Sequence, residues 1–323
     1  MEVLDGRLES RVGDLVAVFG LGRTGRLSDG PVASGRLGAI WRLDTDTGSW
    51  AVKQVGDVGE MGDAALAEIV DGAAFQEAAA AAGVPTPAVV RTPTGDLIAD
   101  LGDVRVRVHG WRDLEDATIQ LDPGDVGRLL AALHQVNFTG STGVDPWYSE
   151  PVTAGRWREI VDTLRNRRAP FAEDLAAEVP EIVALEAFLG GPPKSLRTCH
   201  RDLWADNVRR TPAGGLCVFD FDNAGLADPS QELAAILVEY AGHDRDRAAA
   251  IRAAYADAGG PGRVVGPTDF AMPIAQLAHI AETGCRRWLA ATSDDERADN
   301  EAWVREYLDR PVTRAQIETL LDE

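Results

Sequence analysis

Lysine is almost absent from this chain of 323 residues, which contains only Lys53 and Lys194. Acidic residues outnumber basic ones by 52 to 32, and the formal net charge is −20. A nucleic-acid backbone needs a basic surface, so this charge excludes nucleic acid as a partner. It favours instead a ligand or substrate that carries positive charge.

Long apolar runs and paired cysteines are also missing. No run of about 18 apolar residues occurs, so no membrane span is expected, and residues 1–5 show no signal-peptide pattern. The three cysteines, Cys199, Cys217 and Cys285, are scattered through apolar or helical contexts, which is typical of reduced thiols. We therefore expect a cytoplasmic protein, monomeric or homodimeric, with one or two domains.

The segment that decides the chemistry is residues 199–207, which contains the spacing His-x-Asp-x-x-x-x-Asn. The apolar run of residues 216–221 follows and predicts a strand that carries another carboxylate, Asp220. Phosphoryl transfer needs one acceptor that takes the proton of the substrate hydroxyl, and oxygen ligands for Mg²⁺ on the nucleotide phosphates. Asp202 is the predicted base, and Asn207 and Asp220 are the predicted metal ligands. Turn-forming Asp and Asn in an ordinary loop would not explain all three matches together.

These residues resemble the catalytic loop and metal-binding strand of the aminoglycoside phosphotransferase and choline kinase superfamily, the small-molecule relatives of protein kinases. The resemblance implies a protein-kinase-like, two-lobed α+β fold that uses ATP and Mg²⁺. A small N-terminal antiparallel sheet with one helix would form the nucleotide-binding lobe, residues 1–111. A larger, mostly helical lobe, residues 112–323, would hold the catalytic loop and the acceptor cleft.

The resemblance also makes demands on the sequence before the catalytic loop, and the chain meets them in order. Residues 34–43 and 49–54 are predicted strands, and Gly35 and Gly38 mark the expected phosphate-binding hairpin. Lys53 stands at the position of the lysine that, in this family, holds the α- and β-phosphates of the nucleotide. Because arginine supplies almost all other positive charge, a lysine at this position favours the phosphate-binding role.

A helix predicted over residues 63–82 supplies the glutamate that the family pairs with this lysine. Glu68 has the expected spacing, and Glu77 and Glu60 are the alternatives. The adenine-binding hinge is expected after the last strand of the sheet, with Val108 and Gly110 as predicted contacts. Backbone groups would meet the adenine edge there, so the side-chain types reveal little.

A second glycine pattern, G-x-G-x-x-G in residues 20–25, follows an apolar run and could indicate a dinucleotide-binding fold. In that fold the glycines open a helix whose N-terminus receives the pyrophosphate. Residues 28–31, Gly35 and Gly38 make a continuous helix implausible here. The dinucleotide interpretation is therefore rejected.

A peptide substrate is also disfavoured. Trp204 occupies the position, two residues after Asp202, where Ser/Thr kinases typically carry a lysine. Only residues 223–229 separate the metal-binding strand from the next predicted helix, residues 231–240, which leaves no space for a long activation segment. A small-molecule acceptor is therefore predicted. Glu232, where the family more commonly has Asp, is interpreted as structural or as a support for the site residues, and not as catalytic.

Helical periodicity predicts the rest of the C-terminal lobe. The further predicted helices are residues 122–134, 156–166, 173–189, 246–258, 270–291 and 295–308. Acidic residues crowd the last helix, where they could line a cleft for a cation or form a solvated helix face. Asp222, Glu239 and Glu282 are the predicted acceptor contacts.

The sequence thus predicts an ATP-dependent phosphotransferase that moves the γ-phosphoryl group to a hydroxyl of a small, cationic molecule such as an aminoglycoside-type antibiotic. One alternative is a kinase of a metabolic amino alcohol, sugar or hydroxy amino acid. Another is a pseudokinase that only binds nucleotide, although Asp202 and Asp220 are both present.

Overall fold

The computed structural model describes residues 8–35, 38–55, 63–102, 104–141, 143–191, 193 and 195–321. The chain divides into two compact units. The first is Met1–Thr118, Val136–Thr142 and Asp206–Ala224, and the second is Ile119–Gln135, Gly143–Ala205 and Gly225–Glu323. The lobe boundary expected at residue 112 stays a prediction.

Strands and helices are numbered here in chain order within the described residues. The strands are β1 (Gly25–Leu27), β2 (Ala33–Gly35), β3 (Gly38–Thr45), β4 (Gly48–Val55), β5 (Val89–Val90), β6 (Ala99–Asp100), β7 (Arg105–Gly110), β8 (Arg197–Cys199), β9 (Val208–Arg210), β10 (Leu216–Val218) and β11 (Gly225–Ala227). The helices are α1 (Val12–Phe19), α2 (Asp63–Ala81), α3 (Pro123–His134), α4 (Ala154–Asn166), α5 (Ala172–Leu185), α6 (Pro229–Ala241), α7 (Arg245–Asp257), α8 (Ala271–Ala290), α9 (Asp294–Asp309) and α10 (Arg314–Leu321).

An antiparallel sheet forms the body of the first unit, in the order β1-β3-β4-β7-β5, with β2 also on β3 and β6 also on β7. One face of the sheet is apolar because alternating positions of its central strands carry buried apolar side chains, among them Trp41, Leu43, Val106 and Val108. This face packs with α1 in one hydrophobic core, whose members include Leu15, Phe19, Trp41, Val52 and Val106. Each such buried side chain contributes about 1.5–3 kcal/mol. The opposite face is left for polar side chains.

The predicted strand of residues 34–43 is two strands, because β2 ends at Gly35 and β3 begins at Gly38. Gly38 has a φ of +146°, and a Cβ there would lie 2.6 Å from the carbonyl oxygen of Gln54, so a side chain at this position would clash. Residues 36–37 of the predicted phosphate-binding hairpin lie outside the described residues. The predicted strand range ran across the two glycines that the sequence analysis itself had marked as the expected hairpin.

Around the G-x-G-x-x-G of residues 20–25, the elements follow the opposite order from that of a dinucleotide-binding fold. The apolar run before these glycines lies in helix α1, and Gly20, with a φ of 66°, ends the helix in the left-handed conformation. The glycines then lead into strand β1 rather than opening a helix. No helix N-terminus is therefore offered to a pyrophosphate by these glycines.

Helices dominate the second unit, and its seven predicted helices are present within a few residues of the expected bounds. Helix α3 illustrates why: Asp122 caps it by accepting a hydrogen bond from Asp125 N at 2.9 Å, and Pro123 occupies its first position. Helix α5 ends at Leu185 rather than residue 189, since residues 186–188 form a 3₁₀ turn.

Four helices of the second unit converge on one core. Trp157 of α4, Leu175 of α5, Trp288 of α8 and Val304 of α9 are all buried in it. None of the helices in the described ranges is long and apolar enough to cross a bilayer. The predicted α+β composition, with a small antiparallel sheet near the N-terminus and helices after it, is confirmed.

Candidate active site

Two neighbouring strands bring two cations to the polar face of the sheet. Strands β4 and β7 pair with Lys53 opposite Arg107 and Ala51 opposite His109. Side chains alternate between the two faces of a sheet, so these four residues lie on the face away from α1. The side chain of Lys53 is 13% exposed and that of Arg107 is 5% exposed.

The hairpin β9–β10 delivers the carboxylates. Phe219 N donates to the carbonyl oxygen of Asn207 at 3.1 Å, which ties the two ends of the hairpin together. Asp220 then leaves the extended conformation, with φ 60° and ψ 66°, and Asp222 follows on the 3₁₀ turn of residues 221–223. The predicted strand therefore ends early. A left-handed residue other than glycine is uncommon, and such strain often occurs at functional sites.

Lys53, Arg107, Asp220 and Asp222 form one ion-pair cluster. Lys53 Nζ lies 2.8 Å from Asp220 Oδ1 and 2.8 Å from Asp222 Oδ2. Arg107 Nη2 also donates to Asp222 Oδ2, and it lies 4.0 Å from Asp220 Oδ1. Two partly or fully buried cations thus balance two carboxylates, which is the condition for keeping such charges away from water.

The two carboxylates differ in their electrostatic surroundings. Burial and the neighbouring charge of Asp222 raise the pKa of Asp220. Burial also acts to raise the pKa of Asp222, but Arg107 and Lys53 outweigh it and hold that pKa below its ordinary value. Asp222 is therefore the better neutralised of the two, and Asp220 is the one that an additional cation would stabilise.

The donor set around Asp220 fits a divalent cation of the Mg²⁺ type. Such cations prefer carboxylate and amide oxygens as ligands. Asp220 supplies a carboxylate just after β10, and Asn207, which is 9% exposed, supplies an amide just before β9. Both residues therefore lie at the open end of the hairpin. A cation bound beside Asp220 would offset the burial and the charge of Asp222 that raise the pKa of this carboxyl group.

Helix α2 packs directly against the segment that carries these carboxylates. A Cβ added at Gly72 would lie 2.2 Å from the carbonyl oxygen of Phe221. The ring of Phe75, also on α2, lies 5.6 Å from that of Phe221 in an edge-to-face arrangement. The glycine thus permits a backbone contact that any side chain would prevent.

The glutamate expected to pair with Lys53 is not in contact with it. Glu68 is half-buried on α2, but within the described part of the chain the partners of Lys53 Nζ are the two aspartates. Glu77 pairs with Arg91 at 2.7 Å instead, and Glu60 lies outside the described residues. The role of Glu68 stays a prediction.

The expected hinge and hairpin contacts also stay predictions. Val108 is fully buried in the apolar face, and Gly110 N donates to the carbonyl oxygen of Ala88 at 2.8 Å. His109 lies between them on the polar face. Burial, followed by the charge of Arg107, lowers the pKa of His109 to about 3. Its imidazole is therefore neutral and can both donate and accept a hydrogen bond.

In the second unit, Asp202 follows strand β8 on a loop whose backbone is held from two sides. Arg201 N donates to Glu232 Oε1, and Gln276 Nε2 donates to the carbonyl oxygen of Arg201 at 3.1 Å. Arg201 has a φ of 64°, which these contacts stabilise. The half-buried Asp202 is thus carried on a fixed backbone, as positioning of a general base requires.

Glu232 is part of a buried network. Its Oε2 lies 2.6 Å from His134 Nε2, and His134 Nδ1 lies 2.7 Å from the hydroxyl of Tyr255. The ligand atoms of His134, Glu232 and Cys199 lie within 4.8 Å of one another, which is a metal-ligand spacing. However, both ring nitrogens are already hydrogen-bonded, and burial raises the pKa of the Cys199 thiol. The set fits a structural hydrogen-bond network.

All three predicted acceptor contacts have partners inside the protein. Asp222 belongs to the ion-pair cluster, and Glu239 accepts a hydrogen bond from Ala205 N at 3.0 Å. Glu282 lies 2.9 Å from Arg156 and 2.8 Å from Arg286. Their roles in binding an acceptor stay predictions.

Arg107 is the site residue that the sequence prediction missed. Its signal was an arginine between two apolar residues, Val106 and Val108, in the middle of a predicted strand, where a buried charge must have a partner. The register that sets it opposite Lys53 comes from strand pairing between distant parts of the chain. A pattern within one segment does not contain that information.

Residues 30–267 of the chain match the model of the phosphotransferase enzyme family. No curated protein sequence matches the chain significantly. Among solved structures, spectinomycin phosphotransferase APH(9)-Ia in complex with ADP and spectinomycin is similar over 99% of this chain and 98% of its own, with a TM-score of 0.68 and 13% identity.

Two further solved structures are similar over most of their length. An aminoglycoside phosphotransferase from Alicyclobacillus acidocaldarius covers 89% of this chain and 90% of its own, with a TM-score of 0.57 and 17% identity. Choline kinase LicA from Streptococcus pneumoniae covers 94% and 99%, with a TM-score of 0.57 and 16% identity. The predicted protein-kinase-like fold is confirmed by these likenesses.

Proposed function

The chain belongs to the phosphotransferase enzyme family and is an ATP-dependent phosphotransferase that acts on a hydroxyl group of a small molecule; we propose that its acceptor is a cation such as an aminoglycoside-type antibiotic. The net charge of −20 supports this proposal, since a surface of one sign concentrates ligands of the other. The likeness to spectinomycin phosphotransferase along nearly the whole chain supports it as well. A role in antibiotic resistance would follow from such an acceptor.

The observation that carries the proposed site is the contact of Lys53 with Asp220. Lys53 would hold the nucleotide phosphates, with its flexible stem allowing Nζ to move between the aspartates and the nucleotide. Asn207 and Asp220 would hold Mg²⁺, which when bound neutralises charge on the phosphate oxygens. Arg107 and Asp222 would remain paired beside them.

Asp202 would act as the general base. Its carboxylate would accept the proton of the acceptor hydroxyl and orient that oxygen for attack. Glu232 and Gln276 support this role because they hold the peptide groups on both sides of Arg201, the residue before Asp202. A metabolic amino alcohol is the second candidate acceptor, supported by the likeness to choline kinase, and it would also be a cation.

The test is ADP release from Mg-ATP with a panel of aminoglycosides, amino alcohols, hydroxy amino acids and sugars. Asp202→Asn should keep nucleotide binding and lose about 10²–10⁴-fold in turnover, which is the usual contribution of a general base. Asp206→Asn is the matched control, because Asp206 is an exposed aspartate of the same loop. Full activity of Asp202→Asn would overturn its role. ATP binding without turnover on any acceptor would support the pseudokinase alternative.

A further inference from the structure

Arg107 is a second cation where the expected nucleotide site requires one. Its side chain is 5% exposed, and its Nη2 shares the Oδ2 atom of Asp222 with Lys53. Its Nε is buried and has no hydrogen-bond partner within the described residues. A buried donor without a partner costs free energy, so this side chain is not placed for stability alone.

The need for a second cation follows from the position of Lys53. Lys53 Nζ lies 2.8 Å from one carboxylate oxygen of Asp220 and 2.8 Å from one of Asp222. If Lys53 were their only neighbour of opposite charge, its departure would leave two buried carboxylates uncompensated. These two carboxylates would then compete with the nucleotide phosphates for the ammonium group of Lys53.

We propose that Arg107 is the resident counter-ion of Asp222, which frees Lys53 to move from the aspartates to the nucleotide phosphates. This inference rests on the proposed role of Lys53. Arg107 is suited to stay beside Asp222 because its guanidinium is planar and its side chain is buried. Lysine, in contrast, carries a rotatable point charge on a flexible stem and can move. When Lys53 moves, Asp222 keeps Arg107 as a close cation and only Asp220 is left without one, and Asp220 is the predicted metal ligand.

The experiment is calorimetric titration of ADP, with and without Mg²⁺, into the wild type, Arg107→Met, Asp222→Asn and the double variant. Arg107→Met should weaken ADP binding at least about tenfold, since truncating one partner of a buried charge pair has effects of this size or larger. The double variant should recover affinity to within about threefold of Asp222→Asn, because Arg107 acts only through Asp222. Arg105→Met is the control: Arg105 lies on the same strand but pairs with Asp100 at the surface.

Two results would overturn the inference. One is wild-type ADP affinity in a folded Arg107→Met variant. The other is a double variant that binds ADP much more weakly than Asp222→Asn, which would mean that Arg107 contacts the nucleotide itself. The second comparison remains decisive if Arg107→Met alone does not fold, since the double variant has no uncompensated charge at Asp222.

Lys53→Met separates this inference from the function on which it rests. If that variant binds ADP as the wild type does, the proposed nucleotide site is wrong and the inference falls with it. If Lys53→Met weakens binding while the double variant fails to recover, only the role of Arg107 is wrong. Circular dichroism melts of each variant establish that a folded protein was titrated.

Discussion

Glu232 shows how one buried carboxylate can serve two parts of the molecule. Its Oε1 accepts the backbone N–H of Arg201, and its Oε2 contacts the imidazole of His134. An aspartate at this position would be one methylene shorter. The longer side chain lets a single residue link the loop before Asp202 to helix α3.

Glu232→Gln should lower the free energy of unfolding by about 2 kcal/mol at neutral pH, because hydrogen bonds to a charged group are stronger than those to an amide. The pKa of Glu232 in the folded protein lies below its ordinary value of 4.5: burial acts to raise it, but His134 and the other hydrogen bonds outweigh burial. The contribution is therefore present above about pH 4.5 and is lost as the pH falls through the folded-state pKa.

Urea unfolding of wild type and Glu232→Gln at several pH values measures this contribution. The difference between them should be largest near neutrality and should narrow on acidification. Glu318→Gln, on the exposed side of α10, is the control and should show little difference at any pH. A gap of constant size down to the acid transition would contradict the assignment.

Among single residues, the sequence alone points most directly to the predicted base and metal ligands. The spacing of Asp202 and Asn207 is local in sequence, so it could be recognised without a structure. The structure adds that Asp220 adopts the left-handed conformation and that Lys53 contacts both aspartates. Arg107 could not be assigned in the same way, since its role depends on cross-strand register and on a partner 115 residues away.

The contact between α2 and the 3₁₀ turn of residues 221–223 couples a helix to the carboxylates. Gly72 faces the carbonyl oxygen of Phe221, and Phe75 packs against the Phe221 ring. Phe75 also contacts the ring of Phe138 at 5.6 Å. A shift of α2 would therefore move the backbone that lies between Asp220 and Asp222.

Gly72→Ala should destabilise the protein by about 1–3 kcal/mol, the usual cost of overpacking. It should also weaken ADP binding, because the added methyl group would lie 2.2 Å from a backbone oxygen beside both aspartates. Gly13→Ala in α1 is the matched control, since a Cβ there meets nothing within 4 Å. That change should be neutral or slightly stabilising. Thermal melts and ADP titrations of both variants test this, and equal behaviour would refute the contact.

Predicted elements were accurate where a segment has a clear period and a cap, as in α3 with Asp122 before Pro123. They failed where a single residue changes the backbone direction. Gly38 divides one predicted strand into β2 and β3, and Asp220 ends another. Helix α1 was not predicted, because its apolar run of a few residues could equally be a strand.

Among the described residues, part of the acidic charge is paired locally. In α9, Asp294 lies 2.9 Å from Arg297 and Glu301 lies 2.8 Å from Arg305. Exposed pairs of this kind contribute little to stability. The excess of 52 acidic over 32 basic residues nevertheless leaves a strong negative field.

The negative field predicts how the proposed acceptor should respond to salt. The KM for a cationic acceptor should rise several-fold between low and high ionic strength, because salt screens long-range attraction. A neutral sugar alcohol that is turned over should show little change, and it serves as the control. Equal salt dependence for both acceptors would mean that the net charge plays no part in acceptor binding.

Because lysine is scarce, cleavage by a lysine-specific protease can report the local unfolding of strand β4. A protease that cleaves only after lysine has two target bonds in the chain, after Lys53 and after Lys194. Lys53 lies near the end of β4, between the paired strands β3 and β7, with its ammonium group held by two carboxylates. Proteases need an extended, unpaired segment, so cutting after Lys53 requires local unfolding of the sheet. Its rate therefore measures how often this strand comes free.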